Sequence, residues 1–103
     1  MSIRYALIGC GRIAPNHLPS ALACGMDVVA LCDTNPAAID VLLEGLNLPC
    51  LHVNRYSDYR TMLDSESLDL VAIATDSASH AEIAKYCLDQ GVTVLVEKPM
   101  ALS

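Results

Sequence analysis

Apolar runs of strand length alternate along the chain with segments whose apolar residues recur at helical spacing. The predicted strands are IRYALIG, MDVVALCD, CLHV, LDLVAIAT and VTVLVEKP. The predicted helices run from Arg12 to Cys24 and over TNPAAIDVLLEGL, YSDYRTMLDS and SASHAEIAKYCLDQG. The fourth strand is apolar nearly throughout, as parallel strands covered on both faces are. The alternation predicts an α/β fold: a doubly wound, Rossmann-like parallel sheet of about five strands with right-handed crossovers.

Residues at the ends of these segments agree with the predicted helices. Thr34 or Asn35 is expected to cap the second helix, and Ser57 the third. Gly91 suits the carboxyl end of the fourth helix. Pro19 lies inside the first helix, where a proline removes a hydrogen bond, so we predict a kink there.

Composition and charge exclude several classes of protein. Hydrophobic residues make up 53% of the 103 positions, enough for a core, and no apolar run approaches the ~20 residues of a membrane span. The first residues, MSIRYALIG, lack the features of a signal peptide, so we predict a cytoplasmic protein without membrane contact. The net charge is −6 and the six Lys and Arg residues are scattered, so no nucleic-acid partner is expected.

The five cysteines argue against a disulfide framework and against a metal site. Their number is odd, their spacings are wide and no C-x-x-C occurs. Most stand in apolar contexts, where cysteine behaves as a small hydrophobic residue. We therefore predict no bound metal. The cysteines are Cys10, Cys24, Cys32, Cys50 and Cys87.

The segment ALIGCGRIA has the G-x-G-x-x-A spacing of a phosphate-binding turn between a strand and a helix. Gly9 permits the sharp turn, and Gly11 lets the backbone approach a pyrophosphate. The amides of Arg12 and Ile13 would point at the anion from the helix amino terminus, and the Arg12 side chain could add a charge-assisted contact. Ala14 allows close packing of helix on strand.

Asp33 ends the second predicted strand, 24 residues after Gly9. This is close to the ~20-residue separation that places an acid at the adenosine ribose of a dinucleotide. Its carboxylate would repel a 2′-phosphate, and neither Thr34 nor Asn35 offers a cation, so we predict NAD rather than NADP. Tight glycine turns with a helix-capping aspartate also occur in doubly wound folds that bind no nucleotide, and that alternative stays open at this point.

Two further segments would reach the same edge of the sheet. Thr75, Ser77 and His80 follow the fourth strand, which flanks the first strand at the crevice of such a fold. Lys98 follows the fifth strand, and Pro99 biases its backbone toward an extended conformation, which aims the side chain. On local grounds His80 could equally be a helix-surface residue, and a Glu-Lys pair is often only solvated charge.

Taken in order, IGCGRIA, Asp33, IATDSASHAEIA and GVTVLVEKPMAL resemble the amino-terminal half of the glucose-fructose oxidoreductase, inositol dehydrogenase and MocA family. The resemblance covers essentially the whole chain, and the strand ending in EKP is its most specific part. The segment IAPNHL is similar to members that act on nucleotide-linked aminosugar uronates. The family usually has Pro and Asn where this chain has Asp76 and Ser77.

The resemblance implies a role for each candidate residue. Gly9, Gly11, Arg12 and Ile13 would line the pyrophosphate, and Asp33 would bind the adenosine ribose. The nicotinamide side would be bordered by Ala74, Thr75, Ser77 and His80, and Glu97 would contact the cofactor region. Lys98 would reach the substrate hydroxyl beside the nicotinamide and assist proton transfer as the catalytic residue.

These expectations describe the cofactor-binding domain of an NAD-dependent oxidoreductase acting on a carbinol of a sugar, cyclitol or sugar nucleotide. A six-stranded dinucleotide domain needs a further helix and strand. We therefore expect residues 1–103 to be an NAD(P)-binding Rossmann domain truncated before them, with the carboxyl-terminal substrate domain absent and little activity alone. A non-catalytic NAD or nucleotide sensor remains the alternative. The bare edge of the fifth strand predicts a homo-oligomer.

Overall fold

The computed structural model describes residues 3–9, 14–47, 52–74 and 77–96, excluding the side chains of 14–17, 20, 77–80 and 96. Strands and helices alternate along these residues as predicted. The strands are β1 (Arg4–Ile8), β2 (Asp27–Cys32), β3 (Asn54–Tyr56), β4 (Leu70–Ile73) and β5 (Thr93–Val96). The helices are α1 (Ala14–Ala23), α2 (Pro36–Gly45), α3 (Tyr59–Ser65) and α4 (Ser77–Asp89).

The five strands form one parallel sheet in the order β3-β2-β1-β4-β5. From β1 the chain moves through β2 to β3 in one direction, then crosses to β4 and β5 on the other side. The direction reverses between β1 and β4, which makes this pair the switch point at which doubly wound folds bind ligands. The predicted α/β class and strand number are confirmed.

Each face of the sheet carries its own apolar core. On one face α1 and α2 contribute Leu18, Ala21, Ile39, Leu42 and Leu43, which pack on the sheet. On the other face α3 and α4 contribute Met62, Leu63, Ile83 and Cys87. The sheet is therefore covered on both sides, which explains why its central strands are apolar nearly throughout. None of the helices described is both long and apolar enough to cross a bilayer.

An extra residue in β2 sets which face its later residues occupy. Tyr5 pairs with Val28 and Ala6 with Ala30, so Val29 is bulged between them. Val28 packs with α1 and α2, whereas Ala30 packs with α3 and α4. Without the bulge, side chains from Ala30 onward would alternate in the opposite sense, because strand side chains have a period of two residues.

Local hydrogen bonds cap the start of α2 and the end of α4. Asn35 caps α2 as predicted, because its side chain accepts a hydrogen bond from the Ala37 amide. At the end of α4 the amides of Gly91 and Val92 donate to the carbonyls of Leu88 and Cys87. Gly91 has φ of +77°, and this pair of bonds forms the expected glycine cap.

Two local predictions are wrong, and one is untested. The structure places the third strand at Asn54–Tyr56, whose residues pair with β2, whereas His52 and Val53 of the predicted CLHV strand precede it and residues 50–51 lie outside the described ranges. Asp58, not Ser57, caps α3 and accepts a hydrogen bond from the Arg60 amide. Pro19 lies inside α1, and the kink there stays a prediction.

Candidate functional site

All five strands end at one level of the sheet. The register pairs Ile8 with Cys32 and with Ile73, Cys32 with Tyr56, and Ile73 with Val96. The residue that follows each strand therefore begins the same carboxyl edge. Three sequence-predicted site residues occupy such positions: Gly9, Asp33 and Ala74.

Backbone hydrogen bonds continue the sheet through three of these residues. The Gly9 amide donates to the carbonyl of Cys32 at 2.7 Å, and the Ala74 amide donates to the carbonyl of Ile8 at 2.8 Å. The Asp33 amide donates to the carbonyl of Tyr56 at 3.0 Å. Gly9 and Ala74 thus flank the switch point, with Asp33 one strand away.

Gly9 makes the turn that leaves β1. It is buried and has φ of +94°, in the left-handed region that favours glycine. Helix α1 begins at Ala14, so a helix follows β1 in the order that a phosphate-binding turn requires. Gly11, Arg12 and Ile13 lie outside the described residues, and their predicted contacts with a pyrophosphate stay predictions.

A local turn orients the Asp33 carboxylate. Its Oδ1 accepts a hydrogen bond from the Asn35 amide at 2.8 Å, and the Asn35 side chain in turn caps α2. Asp33 is half-buried. Because a carboxylate oxygen can accept more than one hydrogen bond, this turn is compatible with acceptance from ribose hydroxyls. The Asn35 amide therefore fixes the orientation of the Asp33 side chain at this edge.

Two carboxylates, of Asp33 and Asp58, follow the ends of β2 and β3. Burial, and then the charges of Asp33 and Asp58, raise the pKa of the Cys32 thiol to about 12. Asp58 follows β3 by two residues, and its Oδ1 accepts from the Arg60 amide at 2.9 Å. Both carboxylates therefore contribute to the field at the buried end of β2.

The described arginines that follow β2 in the chain are bound to other carboxylates. Arg55 of β3 pairs with Asp40 of α2. Arg60 of α3 pairs with Glu82 of α4 at 3.0 Å. Both guanidinium groups are therefore engaged with carboxylates of neighbouring helices.

The nicotinamide side of the predicted site is described in part. Ala74 is buried directly after β4, and Ser77 and His80 lie in the first turn of α4. The side chains of Ser77 and His80 lie outside the described residues, as do Thr75, Glu97 and Lys98. Their roles stay predictions. No group of three metal-ligating side chains occurs within the ranges described.

Sequence reasoning missed the contacts that hold Asp33. It placed the third strand before Asn54, so it gave Tyr56 no role, and it assigned Asn35 to helix capping alone. The spacing Asp33-Thr34-Asn35 before a proline is a recognisable side-chain turn signal. The Tyr56 carbonyl had no such signal, because its contact with Asp33 depends on strand pairing across 23 residues.

The comparisons with known proteins agree with this geometry. A family model described as an oxidoreductase family with an NAD-binding Rossmann fold, Gfo/Idh/MocA, matches residues 3–103. The chain belongs to this family. The family resemblance, the fold and the NAD cofactor predicted from the sequence are thereby confirmed.

Three Gfo/Idh/MocA relatives show the range of the similarity. D-apiose dehydrogenase of Paraburkholderia graminis is 35% identical over 95% of this chain and 25% of that protein. A glycosyl hydrolase family 109 protein of Shewanella pealeana is 29% identical over 99% of the chain and 24% of that protein. WlbA dehydrogenase of Bordetella pertussis, crystallised with NADH and UDP-GlcNAcA, has a TM-score of 0.83 and 33% identity over 98% of this chain and 30% of its own.

The chain thus spans about a quarter of the first curated relatives and three-tenths of the WlbA structure.

Proposed function

We propose that residues 1–103 form the cofactor-binding domain of an NAD-dependent oxidoreductase that acts on a sugar, cyclitol or sugar nucleotide. The observation that carries the proposal is the placement of Gly9, Asp33 and Ala74 at the carboxyl ends of three adjacent strands around the switch point. Family membership and the names of D-apiose dehydrogenase and WlbA dehydrogenase support the substrate class.

In this proposal the chain's own residues bind the two ends of NAD. The pyrophosphate is bound by Gly9 together with Gly11, Arg12 and Ile13. The adenosine ribose is bound by Asp33. The positive φ of Gly9 and the fixed carboxylate of Asp33 fit these roles. Ala74, Thr75, Ser77, His80 and Glu97 border the nicotinamide half.

We further propose a preference for NAD over NADP. A 2′-phosphate at the ribose would meet the carboxylate of Asp33, with Asp58 adding negative charge nearby. Arg55 and Arg60 pair with Asp40 and Glu82. Like charges close together in a half-buried place are unfavourable, so the phosphorylated cofactor should bind less tightly.

The proposed catalytic residue is Lys98, two positions after the end of β5. Bound NAD supplies a hydride acceptor for oxidation of a carbinol carbon. Lys98 would hold or accept the proton of the substrate hydroxyl, which requires a lowered pKa of its ammonium. Because one lysine does not make a complete acid-base site, the 103 residues alone should turn over little or no substrate. Rapid turnover by this chain would contradict the proposal.

Measuring cofactor affinity tests the binding proposal directly. Asp33→Asn keeps an oxygen acceptor for the Asn35 amide but removes the charge. NAD affinity should fall about tenfold, and the preference over NADP should shrink by a larger factor. Asp89→Asn, at the exposed end of α4, is the matched control and should leave both affinities unchanged. Equal NAD affinity in the two variants would contradict the role of Asp33.

Substitution of Lys98 separates an enzyme from an NAD sensor. In the full-length protein Lys98→Ala should abolish turnover of the sugar while changing NAD affinity little. A sensor would keep its response to NAD. Our proposal would be contradicted if the full-length protein bound the cofactor but showed no turnover, and if Lys98→Ala left that binding unaltered.

A second candidate reaction comes from the glycosyl hydrolase relative, which covers 99% of the chain. Assays of the full-length protein should therefore follow both oxidised sugar and release of a leaving group from a glycoside. Net accumulation of NADH with sugar oxidation favours the dehydrogenase. Glycoside cleavage without net NADH favours the hydrolase.

We also propose that the protein forms a homo-oligomer. In the described part of the chain β5 pairs with β4 alone, and its Leu95 side chain is 46% exposed. An unpaired strand edge with an apolar side chain favours association. Size-exclusion chromatography with light scattering should show a mass above that of one chain, and a clean monomer would contradict this. A cytoplasmic location stays a prediction from the sequence.

A further inference from the structure

The edge strand β3 is short and polar: Asn54 and Arg55 are exposed, and Tyr56 packs against an apolar core. Its three residues alternate between the two faces of the sheet. On one face the Arg55 side chain pairs with Asp40 of α2. On the other face the side-chain amide of Asn54 and the Tyr56 hydroxyl both donate to Glu66 Oε2, each at 2.6 Å. Glu66 therefore anchors both ends of this strand.

Glu66 is itself held in place. It directly follows α3, and its amide donates to the Met62 carbonyl at 2.9 Å. Its side chain is only 9% exposed, and its Oε1 lies 3.7 Å from the Arg4 guanidinium of β1. A mostly buried carboxylate with two hydrogen-bond donors and an arginine nearby is well compensated. The anchor is thus fixed relative to the centre of the sheet.

The anchored strand reaches the candidate cofactor site through one backbone contact. Tyr56 is the last residue of β3, and its carbonyl accepts the Asp33 amide at 3.0 Å. That bond extends the β2–β3 ladder one step past Cys32, to the residue whose carboxylate faces the ribose in our proposal. The Asx turn with Asn35 orients the Asp33 side chain, whereas the Tyr56 carbonyl positions its backbone.

We propose that Glu66 and Tyr56 are positioning residues for cofactor selection: their hydrogen bond holds the end of β3, and the Tyr56 carbonyl thereby places Asp33 for the adenosine ribose. The inference rests on the proposed function, since it concerns the same ribose contact. Neither residue touches the cofactor in this account. Loss of the hydrogen bond loosens the end of β3, and Asp33 then samples positions from which it discriminates poorly between the two cofactors.

Tyr86 supplies a matched control for the phenol. It is also half-buried, and its hydroxyl donates to Asp64 Oδ1 at 3.0 Å. Tyr86 lies on α4 and Asp64 on α3, so this bond joins two helices rather than the edge strand to Asp33. Tyr86→Phe removes the same atom as Tyr56→Phe, in a similar hydrogen bond, without touching β3.

Amide hydrogen exchange tests the structural link without any cofactor. In Tyr56→Phe, exchange of the Asp33 amide followed by NMR should be about tenfold faster than in the wild-type chain, because local opening of β3 becomes easier. In Tyr86→Phe it should be unchanged. Glu66→Gln keeps an oxygen acceptor for the phenol and should restore most of the protection that Glu66→Ala loses. Unchanged exchange in Tyr56→Phe would overturn the inference.

Cofactor affinities, measured by calorimetry on the same chain, test the functional link. Tyr56→Phe should weaken NAD binding about threefold to tenfold and lower the ratio of NADP to NAD dissociation constants. A merely destabilised protein would weaken both cofactors alike and leave the ratio unchanged. In an Asp33→Ala background, Tyr56→Phe should have no further effect on NAD affinity. Additive losses would mean that Tyr56 acts by another route and would overturn the inference.

The exchange and affinity measurements together distinguish failure of this inference from failure of the proposed function. If the wild-type chain binds no NAD at all, the proposed function fails, and the exchange measurement still decides whether Tyr56 holds Asp33. If NAD binds with the Asp33 dependence described above but Tyr56→Phe changes neither the exchange nor the ratio, the proposed function stands and the positioning role is wrong.

Discussion

The Asp33 amide donates a hydrogen bond to the carbonyl oxygen of Tyr56 at 3.0 Å. This contact joins the acid expected at the cofactor ribose to the least apolar strand of the sheet. The geometry of the candidate site therefore depends on an edge strand, and not only on the glycine turn and the central strands. Edge strands open more readily than central ones, so substitutions in β3 should affect cofactor binding without unfolding the protein.

The left-handed backbone of Gly9 predicts a selective cost of adding a side chain. Gly9→Ala should lower the free energy of unfolding in urea by about 1–2 kcal/mol, since an L-residue is strained at φ of +94°. It should also weaken NAD binding. Gly45→Ala, at the end of α2 with open space around the added carbon, is the control and should raise stability by about 0.5–1 kcal/mol. Equal changes in the free energy of unfolding for the two variants would contradict the strain expected at Gly9.

Truncating a side chain on the buried face of α2 should destabilise the protein far more than truncating one on its exposed face. Leu43 is 1% exposed and packs in the core, whereas Val41 of the same helix is 69% exposed. Leu43→Ala should cost about 2–5 kcal/mol in urea unfolding, from lost burial and the cavity left behind. Val41→Ala should change stability by less than about 0.5 kcal/mol. A large loss for Val41 would mean that this face is covered in solution.

The described thiols should differ sharply in reactivity. Cys24 is exposed, whereas Cys32 and Cys87 are buried. Burial raises the pKa of Cys87 to about 11, and burial with the charges of Asp33 and Asp58 raises that of Cys32 to about 12. At pH 8 iodoacetamide should label Cys24 readily and the other two slowly, because the thiolate is the nucleophile. Peptide mass spectrometry reads each site, and rapid labelling of Cys32 in the native protein would contradict its burial.

The same raised pKa values predict loss of stability at high pH. In the folded protein Cys32 and Cys87 keep their protons to higher pH than in the unfolded chain, whose thiols titrate near 9. Their contribution is therefore fully present below pH 9 and is lost progressively as the pH rises toward 11 and 12. Unfolding free energies measured from pH 8 to 11 should fall. In Cys87→Ala the fall should be shallower, and an identical slope would contradict the linkage.

Much of the site could be predicted because its signals are local. The position of Gly9 after an apolar strand and of Asp33 at the end of the next needs only the order of residues and the rule that parallel strands end at one edge. Asn35 before Pro36 is likewise a local capping signal, and the structure confirms it. By contrast, CLHV is the more strand-like segment by composition, yet β3 is the polar segment that directly follows it.

The sequence by itself determined the alternation of strands and helices, the glycine turn and the acid after β2, because periodicity and turn chemistry act over a few residues. Only the tertiary structure decided where β3 lies and what holds Asp33. The strand Asn54–Tyr56 is polar, and its place depends on pairing with β2 and on hydrogen bonds to Glu66 across α3. The bulge at Val29 also arises from pairing with β1, and it determines on which face of the sheet the later β2 side chains lie. Such contacts join residues distant in sequence, and no local pattern records them.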